Sequence, residues 1–286
     1  MKRLKDIYIF ILPLILFIGA FSLLPVIGTF WISLWRDVSF LPGKFIGLGN
    51  YLRILKDIQF LQSLIFTLLF SLFSVAIEMI IGVIVALVLN EKFTGRGIMR
   101  GVSLLPWAIP SVIGARIWQL IYRYDFGLAN YLIRNITGSS INWFGSSIGA
   151  FSALVFSDVW RTTPFVAIII LAGLQTVPEE LYEQSKIDGA NIFQRLFKIT
   201  LPVIKPIIIV ALLFRTIDAL RVFDIIYVIT GGGPGGSTSS ISLYSYKYFL
   251  LGDFGYGSTI SIILFFIAFI IALTYFKIGK FREVAQ

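Results

Sequence analysis

Two residue types with versatile chemistry are missing from this chain of 286 residues, which contains no cysteine and no histidine. The absence of cysteine excludes disulfides and thiol nucleophiles, and the absence of histidine excludes imidazole acid–base catalysis and the commonest zinc ligand. Charged residues are scarce as well, at 14% of the chain against about 25% in an average soluble domain. The pattern GxxxxGK[ST] does not occur, so the chain has no Walker-type loop for ATP.

Apolar residues, by contrast, are in excess: they make up 57% of the chain, and its mean hydropathy is +0.90. One water-soluble core of this size cannot cover so much apolar surface, so lipid must cover much of it. Segments long and apolar enough to cross a bilayer as helices lie at about 7–35, 61–90, 101–122, 148–174, 203–230 and 258–277. We therefore expect an all-α integral membrane protein, a single transmembrane domain over 1–286 with six transmembrane helices.

The first apolar run follows a basic N-terminus, MKRLKD, as it would in a signal peptide. The run continues to about Trp35, however, and no small-x-small cleavage site follows an apolar region of about 7–15 residues. The sequence therefore predicts an uncleaved first span.

The net charge of +9 lies in short clusters beside the spans and not on an amphipathic recognition face, which argues against a nucleic-acid partner. One alternate set of loops carries 13 lysines and arginines and the other set carries 7. The positive-inside rule then places both termini and the loop at 178–202 in the cytoplasm.

That cytoplasmic loop reads EELYEQSKIDGANIFQRLFKITLP, from Glu179 to Pro202. The Asp188-Gly189 pair predicts a turn that ends a first short helix, and Asn191 followed by Gln194 has the form of a capping box that opens a second. Phe193, Leu196, Phe197 and Thr200 recur at helical spacing and predict one apolar face. Such a helix could lie on the lipid headgroups, or it could fit a groove on another protein.

The same stretch resembles the cytoplasmic coupling motif of binding-protein-dependent ABC importer permeases, in which an EAA pattern is followed by glycine and then by I-x-L-P. Glu183 matches the glutamate, Gly189 falls at the right interval, and 199–202 reads ITLP. The chain departs from the pattern at Gln184 and Ser185, where the family usually has two alanines. The residues that the resemblance assigns to coupling with the ATPase are Glu183, Ser185, Asp188, Gly189, Ala190, Phe193, Leu201 and Pro202.

The resemblance covers essentially the whole chain: GLGNY at 47–51, AGLQTVPEELYE at 172–183 and FDIIYVITGGGPGGST at 223–238 look like the sugar-uptake branch, and most of all like the first permease of maltose-, trehalose- and glycerol-phosphate-type systems. It implies a type I importer permease in the inner membrane of a prokaryote that carries a di- or oligosaccharide or a related polyol phosphate. The implied partners are a homologous second permease, an ABC ATPase dimer that binds ATP and magnesium, and an extracytoplasmic solute-binding protein. The chain itself would hold no cofactor and catalyse no reaction.

Charged residues inside the spans are costly, so they must pair or face water. Arg215, Asp218, Arg221 and Asp224 alternate in sign at intervals of three, which fits either an ion-pair ladder that fixes helix packing or the wall of a solute path. Asp158 and Arg161 flank Trp160 and form either a local salt bridge or a second part of that path, while Glu78 and Arg116 could neutralise each other across helices. The predicted path residues are Asp158, Trp160, Arg161, Asp218, Arg221, Phe223, Asp224 and Tyr227.

Two other classes of protein are possible for a chain with intramembrane charges. An autonomous secondary transporter or channel would use them as an ion relay, but the two repeated halves expected of such a carrier are not visible. An intramembrane enzyme would need a serine–lysine or paired-aspartate site. No serine–lysine pair is evident in the spans, and the aspartates have arginines at helical-neighbour spacing.

Overall fold

A computed structural model of the chain describes residues 11–279 and is almost entirely helical. The predictions for residues 1–10 and 280–286, including the basic clusters expected in the cytoplasm, lie outside the described residues. The helices, in chain order, are α1 (Ile11–Ser33), α2 (Gly49–Ile54), α3 (Ile58–Asn90), α4 (Arg96–Ala108), α5 (Ser111–Ile121), α6 (Leu128–Thr137), α7 (Ser147–Leu174), α8 (Glu179–Ile187), α9 (Ile192–Val203), α10 (Lys205–Leu220), α11 (Asp224–Ile229), α12 (Ile241–Leu250) and α13 (Phe254–Ile278). Two short strands, β1 (Trp35–Arg36) and β2 (Lys44–Phe45), form an antiparallel pair in which Trp35 faces Phe45.

Four of these helices, α1, α3, α7 and α13, are each long and apolar enough to cross a membrane. Two bent pairs bring the number of candidate spans to six: α4 meets α5 at 86°, and α9 meets α10 at 71°. The first bend lies where Ile109 is extended before Pro110, because a residue that precedes proline is forced out of the helical region. The predicted stretch 101–122 is therefore not one straight helix. The stretch 203–230 begins at the second bend and is interrupted between Leu220 and Asp224.

The chain divides into two compact units, and the first comprises residues up to Leu61 together with Ile241–Ile267. Its polar centre is Asp57, whose carboxylate accepts hydrogen bonds from the hydroxyls of Tyr244 (2.7 Å) and Tyr256 (2.6 Å). Partial burial alone would raise the pKa of Asp57, but these two hydrogen bonds and those from the N–H groups of Phe60 and Gln59 outweigh it, so the pKa lies below its ordinary value.

The second unit comprises Gln62–Ser240 and the chain from Ala268 onward. Its apolar core is built from α3, α7 and α10, with Val166, Ile170, Ile204 and Ala211 completely or almost completely buried. Glycine permits the close approach of α3 and α7, since a Cβ on Gly82 would lie 2.5 Å from Cγ1 of Val166. This packing determines which intramembrane charges can meet.

Candidate functional site

Arg215 on α10 is the centre of an ion network within the second unit. Its guanidinium donates from Nε to Glu78 Oε2 (2.5 Å) and from Nη2 to Glu78 Oε1 (2.9 Å). Nη2 also donates to Asp158 Oδ2 (3.2 Å), and Nη1 donates to Asp218 Oδ2 (2.6 Å). Arg215 is 2% exposed and Glu78 is fully buried. One arginine therefore joins α3, α7 and α10 through charge-assisted hydrogen bonds.

The predicted pairing of Glu78 with Arg116 is wrong. Glu78 binds Arg215, and Arg116 donates instead to Gln119 Oε1 at 2.6 Å. The length and apolarity of the segments place both residues inside spans, but they do not show which faces of two helices meet. The choice of partner depends on the packing of α3 against α10.

The local salt bridge between Asp158 and Arg161 is not formed either. Asp158 turns toward Arg215, and within residues 11–279 Arg161 has no carboxylate within ion-pairing distance. Arg161 instead lies on the wall of a cavity together with Asp158. Asp158 and Arg161 are three residues apart but do not pair, and the Arg161 guanidinium faces the cavity, where it can donate hydrogen bonds to a ligand.

The four charges that alternate in sign at Arg215, Asp218, Arg221 and Asp224 are called the charged stripe. Its first three members form a ladder of ion pairs at the end of α10. Asp218 accepts from Arg215 at 2.6 Å and from Arg221 at 3.3 Å. Asp224 does not extend the ladder, because the helix ends at Leu220 and Asp224 opens the separate helix α11. Its carboxylate accepts a hydrogen bond from the hydroxyl of Ser111, at the start of α5.

These charges border a cavity of about 280 Å³. Its lining residues are Ser111, Asp158, Arg161, Arg215, Asp218, Ala219, Arg221, Val222, Phe223, Asp224 and Ile225. Six of the eight residues predicted for the solute path are among them. The other two are Trp160, which packs against Trp118 with ring centroids 5.5 Å apart, and Tyr227, which stacks on Phe223 at 5.4 Å. Sequence reasoning missed Ser111, since a serine after a proline carries no distinctive signal.

A smaller cavity of about 200 Å³ shares Arg215, Asp218 and Arg221 with the first. Its other lining residues are Trp107, Thr162, Phe165 and Phe214. The rings of Trp107 and Phe165 are stacked with centroids 5.6 Å apart, and Phe214 lies edge-on to Phe165 at 6.5 Å. Aromatic faces beside charged hydrogen-bonding groups suit a ligand with both C–H patches and hydroxyls. None of these three rings was singled out from the sequence, because aromatic residues are abundant throughout the chain.

The segment Glu179–Pro202 forms two helices joined by a tight turn, as its residues predict. Gly189 adopts a left-handed conformation (φ 73°) between α8 and α9. The capping box is present: the N–H of Gln194 donates to Asn191 Oδ1 (2.8 Å), and the N–H of Asn191 donates to Gln194 Oε1 (2.9 Å). A π-helical turn at Leu196–Thr200 precedes Pro202, and the N–H of Leu201 bonds to the carbonyl of Leu196.

The predicted apolar face of the second helix is divided between two environments. Thr200 is buried and bonds to the hydroxyl of Tyr182 (3.0 Å), whereas Phe193 is 72% exposed and Phe197 is 64% exposed. The π-helical turn shifts the side-chain register away from a simple 3.6-residue repeat, which separates Thr200 from the phenylalanines. Ile187 (85%) and Ile192 (72%) are exposed as well, so the segment presents four large apolar side chains outward.

The predicted coupling residues also differ in exposure. Glu183, Asp188, Gly189, Phe193 and Pro202 are exposed, and Glu183 lines a cleft of about 540 Å³. Ser185 is buried and donates to the carbonyl of Tyr182 (2.8 Å), while Ala190 and Leu201 are partly buried. A small residue fits at 185, which accounts for serine in place of the usual alanine.

Comparisons with known proteins agree with this architecture. The sequence profile of the family described as "Binding-protein-dependent transport system inner membrane component" matches residues 78–277. The chain is 53% identical over 277 residues to the trehalose/maltose transport system permease protein MalF of Thermococcus litoralis, covering 96% of this chain and 94% of that one. It is 39% identical over 246 residues to the sulfoquinovosyl glycerol transport system permease protein SmoG of Agrobacterium fabrum, covering 85% and 79%.

A solved structure is similar over the whole chain. It is the crystal structure of a bacterial ABC transporter involved in the import of the acidic polysaccharide alginate, with a TM-score of 0.84 and 25% sequence identity, covering 100% of this chain and 98% of that one. The fold of the chain is therefore that of a type I ABC importer permease.

Proposed function

The chain belongs to the family of binding-protein-dependent transport system inner membrane components, and on that premise we propose that it forms the membrane path for a di- or oligosaccharide in an ATP-driven importer. The family consists of transport components of ABC importers. The assignment to sugar uptake is supported by the relatives that are named for trehalose, maltose and sulfoquinovosyl glycerol transport.

The observation that carries the proposal is the charged cavity of about 280 Å³ in the second unit. If the stripe served only to fix helix packing, its charges would be enclosed by apolar side chains. Instead, Asp218 is partly exposed and Arg221 is exposed, and both line the cavity with Asp158 and Arg161. Carboxylates that accept and guanidinium groups that donate hydrogen bonds suit the hydroxyls of a sugar.

Aromatic rings supply the complementary apolar surface. Trp107, Phe165 and Phe214 line the smaller cavity, which shares the wall formed by Arg215, Asp218 and Arg221. A pyranose ring can place its C–H face on such rings while its hydroxyls reach the charged wall. Phe223, which stacks on Tyr227 and lines the larger cavity, is a further candidate for contact with the sugar.

The segment Glu179–Pro202 serves, in this proposal, as the docking element for an ATPase subunit. Ile187, Ile192, Phe193 and Phe197 are the apolar side chains that such a partner would cover, and Glu183 lies beside them in the chain. ATP and magnesium are bound by the ATPase dimer. A homologous second permease completes the path, and an extracytoplasmic solute-binding protein delivers the solute.

We place both termini and this segment on the cytoplasmic side from the distribution of lysine and arginine among the loops. The inner membrane of a prokaryote is proposed from the family, which is described as an inner membrane component. Closure of the ATPases would then draw the coupling segments of the two permeases together and turn the cavity outward, so that the work of ATP hydrolysis reaches the solute path.

The solute path is tested by Asp218→Ala and Arg221→Ala in the assembled transporter, with Arg123→Ala as the matched control. Uptake of radiolabelled trehalose into proteoliposomes should fall about tenfold in the first two variants, because each removes a polar group from the cavity wall. Arg123 does not line either cavity, so the control should retain uptake. If the two variants instead fail to assemble with the ATPase, the stripe is an ion-pair ladder for packing and the proposal for the path is overturned.

The docking role is tested separately by Glu183→Lys. Reversal of this exposed charge should reduce co-purification of the ATPase and solute-stimulated ATP turnover while leaving the folded permease intact. Unchanged assembly and unchanged turnover would contradict the assignment of this segment to coupling.

A further inference from the structure

Glu78 lies behind the solute path and not in it. Its side chain is fully buried and lines neither of the two cavities beside Arg215. Each of its carboxylate oxygens accepts an N–H from the Arg215 guanidinium, at 2.5 and 2.9 Å. The Thr162 hydroxyl lies 2.6 Å from Glu78 Oε1 and 2.7 Å from the carbonyl of Asp158, so its hydrogen is shared between them. Both carboxylate oxygens of Glu78 are therefore engaged by protein groups.

The consequence for Arg215 is that almost no hydrogen-bonding capacity remains for a ligand. A guanidinium has five N–H donors. Two of them are taken by Glu78, one by Asp158 and one by Asp218. Arg215 borders both cavities, yet with four donors engaged it cannot turn toward an anionic solute without leaving Glu78 unpaired in the protein interior.

The charges around the cavity are balanced without Glu78. The lining includes three carboxylates, at Asp158, Asp218 and Asp224, and three guanidinium groups, at Arg161, Arg215 and Arg221. Glu78 adds one negative charge directly behind Arg215, so the group as a whole carries one net negative charge. This net charge disfavours an anion in the cavity relative to the same site without the Glu78 charge, whereas a neutral polyhydroxylated solute is not affected by it.

We propose that Glu78 is a specificity-determining residue that acts through Arg215: by neutralising this arginine from behind, it makes the cavity bind neutral sugars in preference to anionic ones such as sugar phosphates. The inference rests on the proposed function of the cavity as the solute path. It limits the proposed solutes to uncharged sugars and excludes polyol phosphates.

The test compares Glu78→Gln with Glu78→Asp in the assembled transporter, with its second permease and ATPase, in lipid nanodiscs without the binding protein. Equilibrium dialysis measures the binding of trehalose, trehalose 6-phosphate and inorganic phosphate. Glutamine preserves the size but removes the charge, so the affinity for trehalose 6-phosphate relative to trehalose should rise about tenfold or more. Aspartate preserves the charge, so Glu78→Asp should keep the wild-type preference.

Equal weakening of both sugar probes in Glu78→Gln, or a change in melting temperature alone, would overturn the proposal and leave Glu78 as a packing residue. If the wild type binds neither sugar probe, the sugar assignment of the proposed function is at fault. Inorganic phosphate then decides the role of Glu78, since binding gained only in Glu78→Gln supports it and no gain overturns it.

A second pair of variants applies if Glu78→Gln does not assemble. Thr162→Val removes a hydrogen bond to Glu78 without changing charge. Thr163→Val is its control, because the Thr163 hydroxyl bonds to the carbonyl of Val159 (2.6 Å) and lines neither cavity. Thr162→Val should shift the preference toward the phosphorylated sugar by about two- to threefold. Identical preferences in Thr162→Val and Thr163→Val would contradict the proposal.

Discussion

The ion network around Arg215 and the segment Glu179–Pro202 have opposite patterns of burial. In the network, Arg215, Glu78 and Asp158 are enclosed in the protein, and their hydrogen bonds are 2.5–3.2 Å long. In the segment, large apolar side chains such as Ile187 and Phe193 are mostly exposed. Each pattern is costly for an isolated chain, since buried charges need partners and exposed apolar groups need a cover.

The difference lies in where the compensation comes from. The network is compensated inside this chain, because Glu78, Asp158 and Asp218 surround one guanidinium. Residues 11–279 leave Phe193 and Phe197 mostly exposed, which fits the proposed docking of an ATPase subunit on this segment. Loss of Arg215, the centre of the network, should therefore act on stability, and mutations in the segment should act on association.

The largest expected effect is on the stability of the network, in the variant Arg215→Gln. It leaves Glu78 and Asp158 as unpaired carboxylates in the interior, which should destabilise the folded protein by about 3–5 kcal/mol. Thermal unfolding of the purified transporter measures this, with the exposed Arg134→Gln as control. Combining Arg215→Gln with Glu78→Gln should restore part of the loss, and a double variant as unstable as the single one would contradict the pairing.

The next effect is on association, in the variant Phe193→Asp. Phe193 is exposed in the chain alone, so the melting temperature of the isolated permease should not change, but affinity for the ATPase should fall about 30-fold, corresponding to about 2 kcal/mol. Co-purification and titration with the ATPase measure this. Ser139→Asp, in an exposed loop after α6, provides the same new charge at a distance. Unimpaired binding by Phe193→Asp would assign this side chain to lipid.

A smaller effect is expected within the segment itself, in the variant Gly189→Val. The left-handed conformation at Gly189 (φ 73°) disfavours any residue with a Cβ by about 1–2 kcal/mol. Amide hydrogen exchange across residues 179–202 should therefore accelerate by about 5- to 30-fold. Gly97→Val is the matched control, because Gly97 is helical and has open space around it. Equal exchange in the two variants would show that the turn is not under this constraint.

The smallest effect is expected for Lys92→Gln, which breaks the ion pair between Lys92, just after α3, and Glu179 at the start of α8 (3.2 Å). Both side chains are largely exposed, so the pair should contribute less than about 0.5 kcal/mol. Thermal unfolding and ATPase co-purification should both match the wild type. A loss as large as that of Phe193→Asp would mean that this contact, and not the apolar surface, orients the segment.

Local features of the segment could be predicted because they depend on neighbours in the chain. The turn at Gly189 and the capping box of Asn191 and Gln194 are interactions over one to three residues, and both are present. The division of the apolar face was not predictable in the same way. It follows from the π-helical turn at Leu196–Thr200, which periodicity at 3.6 residues does not anticipate.

The network shows the reverse situation. The contacts of Asp218 with Arg215 and Arg221 could be predicted from their three-residue intervals, whereas the pairing of Glu78 with Arg116 was wrong. Glu78 and Arg215 are 137 residues apart, so nothing in their local sequence links them. The break after Leu220, which separates Asp224 from the other three charges, is likewise not marked by a glycine or a proline between Leu220 and Asp224.

The amino-acid sequence is sufficient to identify this chain as a helical membrane protein, to show which family it resembles, and to predict where the short helices of the segment Glu179–Pro202 begin and turn. These properties depend on composition and on interactions between residues close in the chain. The tertiary structure decided which charges neutralise each other, which of them remain available in a cavity, and which apolar side chains stay uncovered. Pairing between charges on different helices depends on how the helix faces pack. That packing is set by residues such as Gly82, which lets α3 approach α7 closely and is not itself charged.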